Sequence, residues 1–337
     1  MIDAQASATT LLRAMADGRA SAQVCLAAMT PNRVHAEELN AFLPVDLDAP
    51  GQAAASDARR HTGTEGVLEG LMVSVKDNIA VGAAPTTGGS PALQGYALAE
   101  GTAIARLRTA GVIFTGKTNL HELAFGITGE NAFLGPAQNP FSRSRLAGGS
   151  TSGGAVAVAI GACAVAIGTD TGGSCRVPAA HCGVVGFRPT TGRYPDDGYL
   201  TLSPSRDTLG VLARAVADIA EVDAVMADDT VELHAVSISD LRLGVVRFQP
   251  IDPGVHSAFE RALRQLGGAG VALNDVDLTA AIAADDACGF VIAIFETARS
   301  MATRAQLELG LTLADFSAKI ADPDVRALIG NEAGPDA

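Results

Sequence analysis

The sequence contains no tryptophan, and aromatic residues make up only 4% of its 337 positions. A core drawn from this chain is therefore mostly aliphatic, supplied by a hydrophobic fraction of 48%. Charged residues are sparse at 18%, which excludes the usual disordered composition. Those present are unbalanced, with a formal net charge of −13 and a pI near 4.8. That balance argues against a general nucleic-acid or anionic-membrane surface. Cysteine is limited to Cys25, Cys163, Cys175, Cys182 and Cys288, an odd number with no Cys-x-x-Cys pair. Four of the five lie in or near apolar runs, so a reducing compartment is the simpler expectation. The opening Met1-Ile2-Asp3-Ala4 lacks a basic segment and a long apolar stretch. No secretory signal is visible there, and a cytoplasmic location is expected.

Several motifs are missing too. No Gly-x-x-x-x-Gly-Lys-Ser/Thr loop, no strand-borne Gly-x-Gly-x-x-Gly and no Gly-x-Ser-x-Gly elbow occurs at the glycine turns. The histidines, His35, His61, His121, His181, His234 and His256, are scattered, and no pair has metal-ligand spacing. Neither a metal nor a cofactor is expected. Leu146–Thr169 is uncharged and as long as a membrane span. Its first third, Gly148–Gly154, is all Gly, Ser and Thr, and the apolar remainder, Ala155–Ile167, is too short to cross. It reads as a buried core segment, with no membrane partner.

What is present is an alternation of strands and helices. Helical stretches are expected over 8–29, about 50–60, 101–110 and 213–226. Apolar runs at Leu71–Val75, Val112–Thr115, Ala164–Ile167 and Val184–Phe187 read as strands, and Ala155–Ile160 as a short buried helix. Pro178 suits a first helical turn and Gly183 a helix end. The Pro-, Gly-, Asp- and Ser-rich residues 189–210 read as loop, and 227–240 as a polar link. Strand Leu243–Val246, helix 255–267 and strand 271–278 then form a further β-α-β unit. This order predicts an α/β fold with a sheet flanked by helices.

Two serines stand on Gly-Gly-Ser turns, Ser150 and Ser174, with an apolar segment between them. A serine nucleophile needs a base. His181 is near Ser174 in the chain, but helical geometry would not aim it back, so it reads as a packing or hydrogen-bonding residue. Lysine is the alternative where burial keeps it neutral, and Lys76 ends an apolar strand. On sequence alone, a lysine in that position is more often a solvated charge.

The motifs, taken together, resemble the amidase signature family. Gly148-Gly149-Ser150-Thr151-Ser152-Gly153 and Gly168-Thr169-Asp170-Thr171-Gly172-Gly173-Ser174-Cys175-Arg176-Val177-Pro178-Ala179 match its signature and spacing. Ser74-Val75-Lys76-Asp77-Asn78-Ile79, Gly116-Lys117-Thr118-Asn119 and Gly183-Val184-Val185-Gly186-Phe187-Arg188-Pro189-Thr190 are similar to further family segments. The resemblance implies a mixed central sheet flanked by helices, in one amidase signature domain over 1–337, with a core at about 65–226 and the β-α-β lobe at about 240–337. It implies Ser174 as nucleophile, Ser150 in a cis peptide as bridge and a neutral Lys76 as base. It places the backbone N–H groups of Thr171, Gly172, Gly173 and Ser174 in an oxyanion hole. Asp170 and Arg176 flank the nucleophile loop and read as its scaffold.

Residues 192–210, with their Arg193-Tyr194-Pro195 and Ser205-Arg206-Asp207-Thr208 runs, are most similar to arylacetamide-type hydrolases of that family. The implied activity is hydrolysis of a small aryl or apolar carboxamide through an acyl-enzyme. The alternatives are the amidase subunit of a tRNA-dependent amidotransferase and a shortened partner or scaffold form. Cys175 replaces an aliphatic residue usual after the nucleophile and reads as a packing change. Thr151 stands where serine or glycine is common in the family. Family members continue for roughly a hundred residues more, so the chain reads as a short form, a truncated product or one piece of a split enzyme. An exposed apolar patch, covered by a second copy or a second chain, is expected where that tail would pack.

Overall fold

The computed structural model describes residues 2–229, 236–247 and 251–331. Residues 230–235 of the expected polar link and 332–337 of the expected lobe lie outside them. The chain divides into two compact units, Met1–Asp229 with Ala293–Ala337, and Thr230–Ile292.

In the first unit, helices α1 (Ala8–Ala16), α2 (Ala22–Glu38) and α3 (Ala49–Thr62) precede strand β1 (Met72–Lys76). The single helix expected over 8–29 is two. Gly18 takes a left-handed φ of 67° after α1, and the Ser21 hydroxyl accepts the Val24 N–H to start α2. Helix α4 (Thr102–Thr109) leads to β2 (Ile113–Thr118), and α5 (Ser152–Ala159) to β3 (Val165–Asp170). Helix α6 (Arg176–His181), β4 (Val185–Phe187), β5 (Thr208–Ala213) and α7 (Val216–Ala227) follow. Strand β5 corrects the expected loop over 189–210. It lacks a clean alternation because all six of its residues are buried.

The sheet order is β2-β1-β3-β5-β4, with β1 parallel to β2 and β3, and β5 antiparallel to β3 and β4. It is thus a mixed α/β sheet, and every residue of β1, β2, β3 and β5 is buried. Helix α5 is buried from Ser152 to Val158, which puts the uncharged run of the sequence inside the core. No helix among the described residues is long and apolar enough to cross a membrane. Gly153 permits that packing: a Cβ there would meet the Ala41 carbonyl oxygen at 2.1 Å.

The second unit holds β6 (Arg242–Val245), α8 (Pro253–Gly268) and β7 (Ala272–Asp275), with β6 and β7 parallel. Helix α9 (Thr279–Leu309) begins there and ends in the first unit, followed by α10 (Leu313–Ser317) and α11 (Pro323–Asn331).

Candidate active site

Strand β1 delivers Lys76 to its C-terminal end, where the side chain is wholly buried. The amine donates to Ser150 Oγ at 2.7 Å and to Thr169 Oγ1 at 2.8 Å. Burial disfavours the ammonium and pulls Lys76 down to about 8, against a partial offset from the Asp170 and Asp207 charges. Ser150 follows a cis peptide with Gly149, just before α5, and its carbonyl accepts the His121 N–H at 3.1 Å.

Ser174 lies between β3 and α6, buried but with 6% of its surface open. Its carbonyl accepts the Thr151 N–H at 3.1 Å, so the two glycine turns are tied through the main chain. The Ser150 and Ser174 hydroxyls are not hydrogen-bonded to each other. The structure thus brings Lys76, Ser150 and Ser174 to one place and forms the lysine–Ser150 link.

The loop carrying Ser174 is organised by a buried carboxylate. Asp170 Oδ1 accepts the Gly173 N–H at 2.8 Å and Arg176 Nη2 at 2.9 Å, while Oδ2 accepts the Cys175 N–H and Arg176 Nε, each at 3.1 Å. Burial alone would raise this carboxyl, but Arg176 and the two N–H groups outweigh it and hold it below its ordinary value. Arg188 also bonds the Asp170 carbonyl. The Gly173 N–H is therefore engaged with Asp170, which corrects the expectation of four free donors. Thr171, Gly172 and Ser174 are left. Gly173 adopts a φ of 130°, and a Cβ on Gly172 would meet nothing within 4 Å, so the main chain is approachable there.

His181 is exposed, with Nδ1 3.2 Å from the Leu146 carbonyl oxygen, in keeping with a hydrogen-bonding residue. Cys175 packs in the apolar cluster around α5, its thiol pushed up to about 12 by burial.

Two residues near the lysine and the loop were not singled out by sequence reasoning. Thr169 Oγ1 meets both Lys76 Nζ and, at 2.9 Å, Asn78 Nδ2. Asp207 Oδ1 accepts the Thr171 hydroxyl at 2.5 Å. Both lie within the runs Gly168–Ala179 and Ser205–Thr208, but nothing local in those runs points to the partner. A cavity of about 500 Å³ is lined by Arg193, Tyr194, Tyr199, Pro204, Asp207 and Thr208 among others, and Ser174 is not in its wall.

A buried lysine bonded to one serine, near a second serine on a glycine loop at the end of a mixed sheet, is an arrangement in which a lysine can serve as base to a serine. The family described as Amidase matches residues 27–330, and the chain belongs to it. The chain is 37% identical over 303 residues to an indoleacetamide hydrolase of Allorhizobium ampelinum, covering 88% of this chain and 65% of that protein. It is 39% identical over 303 residues to a mandelamide hydrolase of Pseudomonas putida, covering 86% and 59%. The solved native peptide amidase from Stenotrophomonas maltophilia superposes with a TM-score of 0.85 at 30% identity, covering 98% of this chain and 76% of that one. The chain spans less than two thirds of the length of those two curated relatives.

Proposed function

We propose that the chain hydrolyses a small carboxamide with an aryl or apolar acyl group to the acid and ammonia. The observation that carries this reading is the 2.7 Å hydrogen bond from wholly buried Lys76 to Ser150. A lysine pulled to about 8 is about one-tenth neutral at pH 7, enough to act as a base.

In this reading Ser174 Oγ attacks the amide carbon and passes its proton to Ser150 as Ser150 passes its own to Lys76. The Ser174 hydroxyl turns onto Ser150 as substrate binds, since such links are often open in the free enzyme. The N–H groups of Thr171, Gly172 and Ser174 receive the developing oxyanion. The lysine proton returns through Ser150 to the departing nitrogen, which leaves as ammonia. Water then releases the acid from the acyl-enzyme by the same relay. The names of the relatives support an arylacetamide-type acyl group.

The test is ammonia release from a panel of amides, with and without phenylmethylsulfonyl fluoride. The expected outcome is inhibitable release, faster from phenylacetamide than from acetamide. No release from any amide, together with co-purification of a tRNA-binding subunit, would move the reading to an amidotransferase component.

A further inference from the structure

The loop that presents the oxyanion donors contains two consecutive glycines, Gly172 and Gly173, and a glycine pair has more backbone freedom than any other. Donors that must stay within a few tenths of an ångström of the developing charge need an outside restraint. Asp170 supplies one on the C-terminal side, through Gly173 and Cys175. On the N-terminal side, the restraint comes from another part of the chain.

Asp207, just before β5, is 6% exposed. Its Oδ1 accepts the Thr171 hydroxyl at 2.5 Å, and its Oδ2 accepts the N–H groups of Leu202 at 2.7 Å and Ser203 at 3.0 Å. The turn at 202–205 is itself fixed. Glu296 Oε2 on α9 accepts the Ser203 hydroxyl at 2.5 Å, the Ser205 hydroxyl at 2.9 Å and the Ser205 N–H at 3.2 Å. A continuous chain of hydrogen bonds therefore runs from α9 through the turn to Thr171. Asp207 also lines the 500 Å³ cavity, with Thr208, Tyr194, Tyr199 and Pro204.

We propose that Asp207 is the positioning residue of the oxyanion loop: it clamps Thr171 to the 202–203 turn and so sets the direction of the loop's N–H groups. This rests on the amide-hydrolase reading. Asp207 touches neither Lys76 nor Ser174 through a hydrogen bond; it acts through Thr171.

The test compares Thr171→Val, which removes only the hydroxyl at nearly constant shape, with Thr171→Ser, which keeps it, and with Asp207→Asn. The readouts are kcat and KM for phenylacetamide, and the rate of Ser174 sulfonylation by phenylmethylsulfonyl fluoride. Misplaced donors should lower kcat and sulfonylation about 30- to 100-fold in Thr171→Val and Asp207→Asn, with KM held within about threefold. Thr171→Ser should recover most of the loss, which a purely volumetric role of Thr171 would not give. The double variant Thr171→Val with Asp207→Asn should be no worse than the worse single one, because both break one interaction. If Asp207→Asn does not fold, the Val and Ser pair at Thr171 decides alone. A parent that hydrolyses or is sulfonylated normally, beside a Thr171→Val variant that does the same, overturns the clamp and leaves the hydrolase reading standing. A parent that does neither overturns the hydrolase reading, and the clamp with it.

Discussion

The units β1-α4-β2 and β6-α8-β7 share one pattern, a strand, a helix and a second strand parallel to the first. Their surroundings are opposite. All residues of β1 and β2 are buried, and α4 buries Ala103, Ile104 and Leu107. In β6 only Val245 is buried, β7 buries none of its four residues, and α8 buries none of its sixteen. Leu241, Leu243, Val255, Val276 and Leu278 are among the exposed large apolar residues. The difference is carried by neighbours. Strand β1 has β3 on its second edge and α5 against it, whereas the sheet of β6 and β7 has two strands. Only the first environment can pull a lysine well below its ordinary value, because a low dielectric needs cover on every side.

The largest effect should come from the buried unit. Ser174→Ala should lower amide hydrolysis by at least about a thousandfold with the fold intact, and Lys76→Ala should be similarly damaging. Losses at Lys76 and Ser150 should not multiply in the double variant, since a relay acts as one device. Steady-state rates of ammonia release decide both, and activity of Ser174→Ala within tenfold of the parent would remove the nucleophile assignment.

Next in size is the core beneath the site. Phe114 on β2 is wholly buried, and Phe114→Ala should cost about 3 to 5 kcal/mol in urea denaturation. A loss below about 1 kcal/mol would mean that this strand is not packed as described.

Lys76 itself should show two smaller effects of its burial. If its neutral form is the base, kcat/KM should rise about tenfold from pH 7 to pH 9, through a limb centred near 8. A flat or falling profile over that range would exclude it. The stability effect comes from the same burial. The folded value lies below that of the free side chain, so the cost of burying the ammonium is fully present below pH 8. It is relieved as pH rises from about 8 to 10.5. Lys76→Met should therefore raise stability at pH 7, by about 1 kcal/mol after the loss of two hydroxyl contacts, while abolishing activity.

The smallest effect belongs to the open unit. Leu243→Ala on β6, where Leu243 is 37% exposed, should cost less than about 1 kcal/mol. A cost like that of Phe114→Ala would show that this surface is covered in solution, and the contrast between the units would fail.

Much of this was legible in the sequence. The glycine turns at Ser150 and Ser174, the apolar strand ending in Lys76 and the strand–helix order follow from local chemistry: turns need glycine, and buried parallel strands read as continuous apolar runs. The resemblance carried by Gly148–Gly153 and Gly168–Ala179 added the family, which the comparisons bear out. Other features were not legible. Strand β5 escaped because its start lies in a loop-like composition and both its faces are covered, which erases the alternation. Gly173 was counted as an oxyanion donor because a backbone N–H carries no mark of which acceptor it will meet.

Sequence alone, then, determined the chemistry available: two serines on flexible turns, one lysine at a strand end, and aliphatic segments able to bury them. Tertiary structure decided which groups meet. Lys76 and Ser150 are 74 positions apart and Asp207 and Thr171 are 36 apart, yet both pairs are in hydrogen-bond contact. Tertiary structure also decided that Lys76 is buried enough to fall to about 8. The reason is physical: local propensity acts over a few residues, whereas desolvation depends on every element packed around a group, and those elements come from distant parts of the chain.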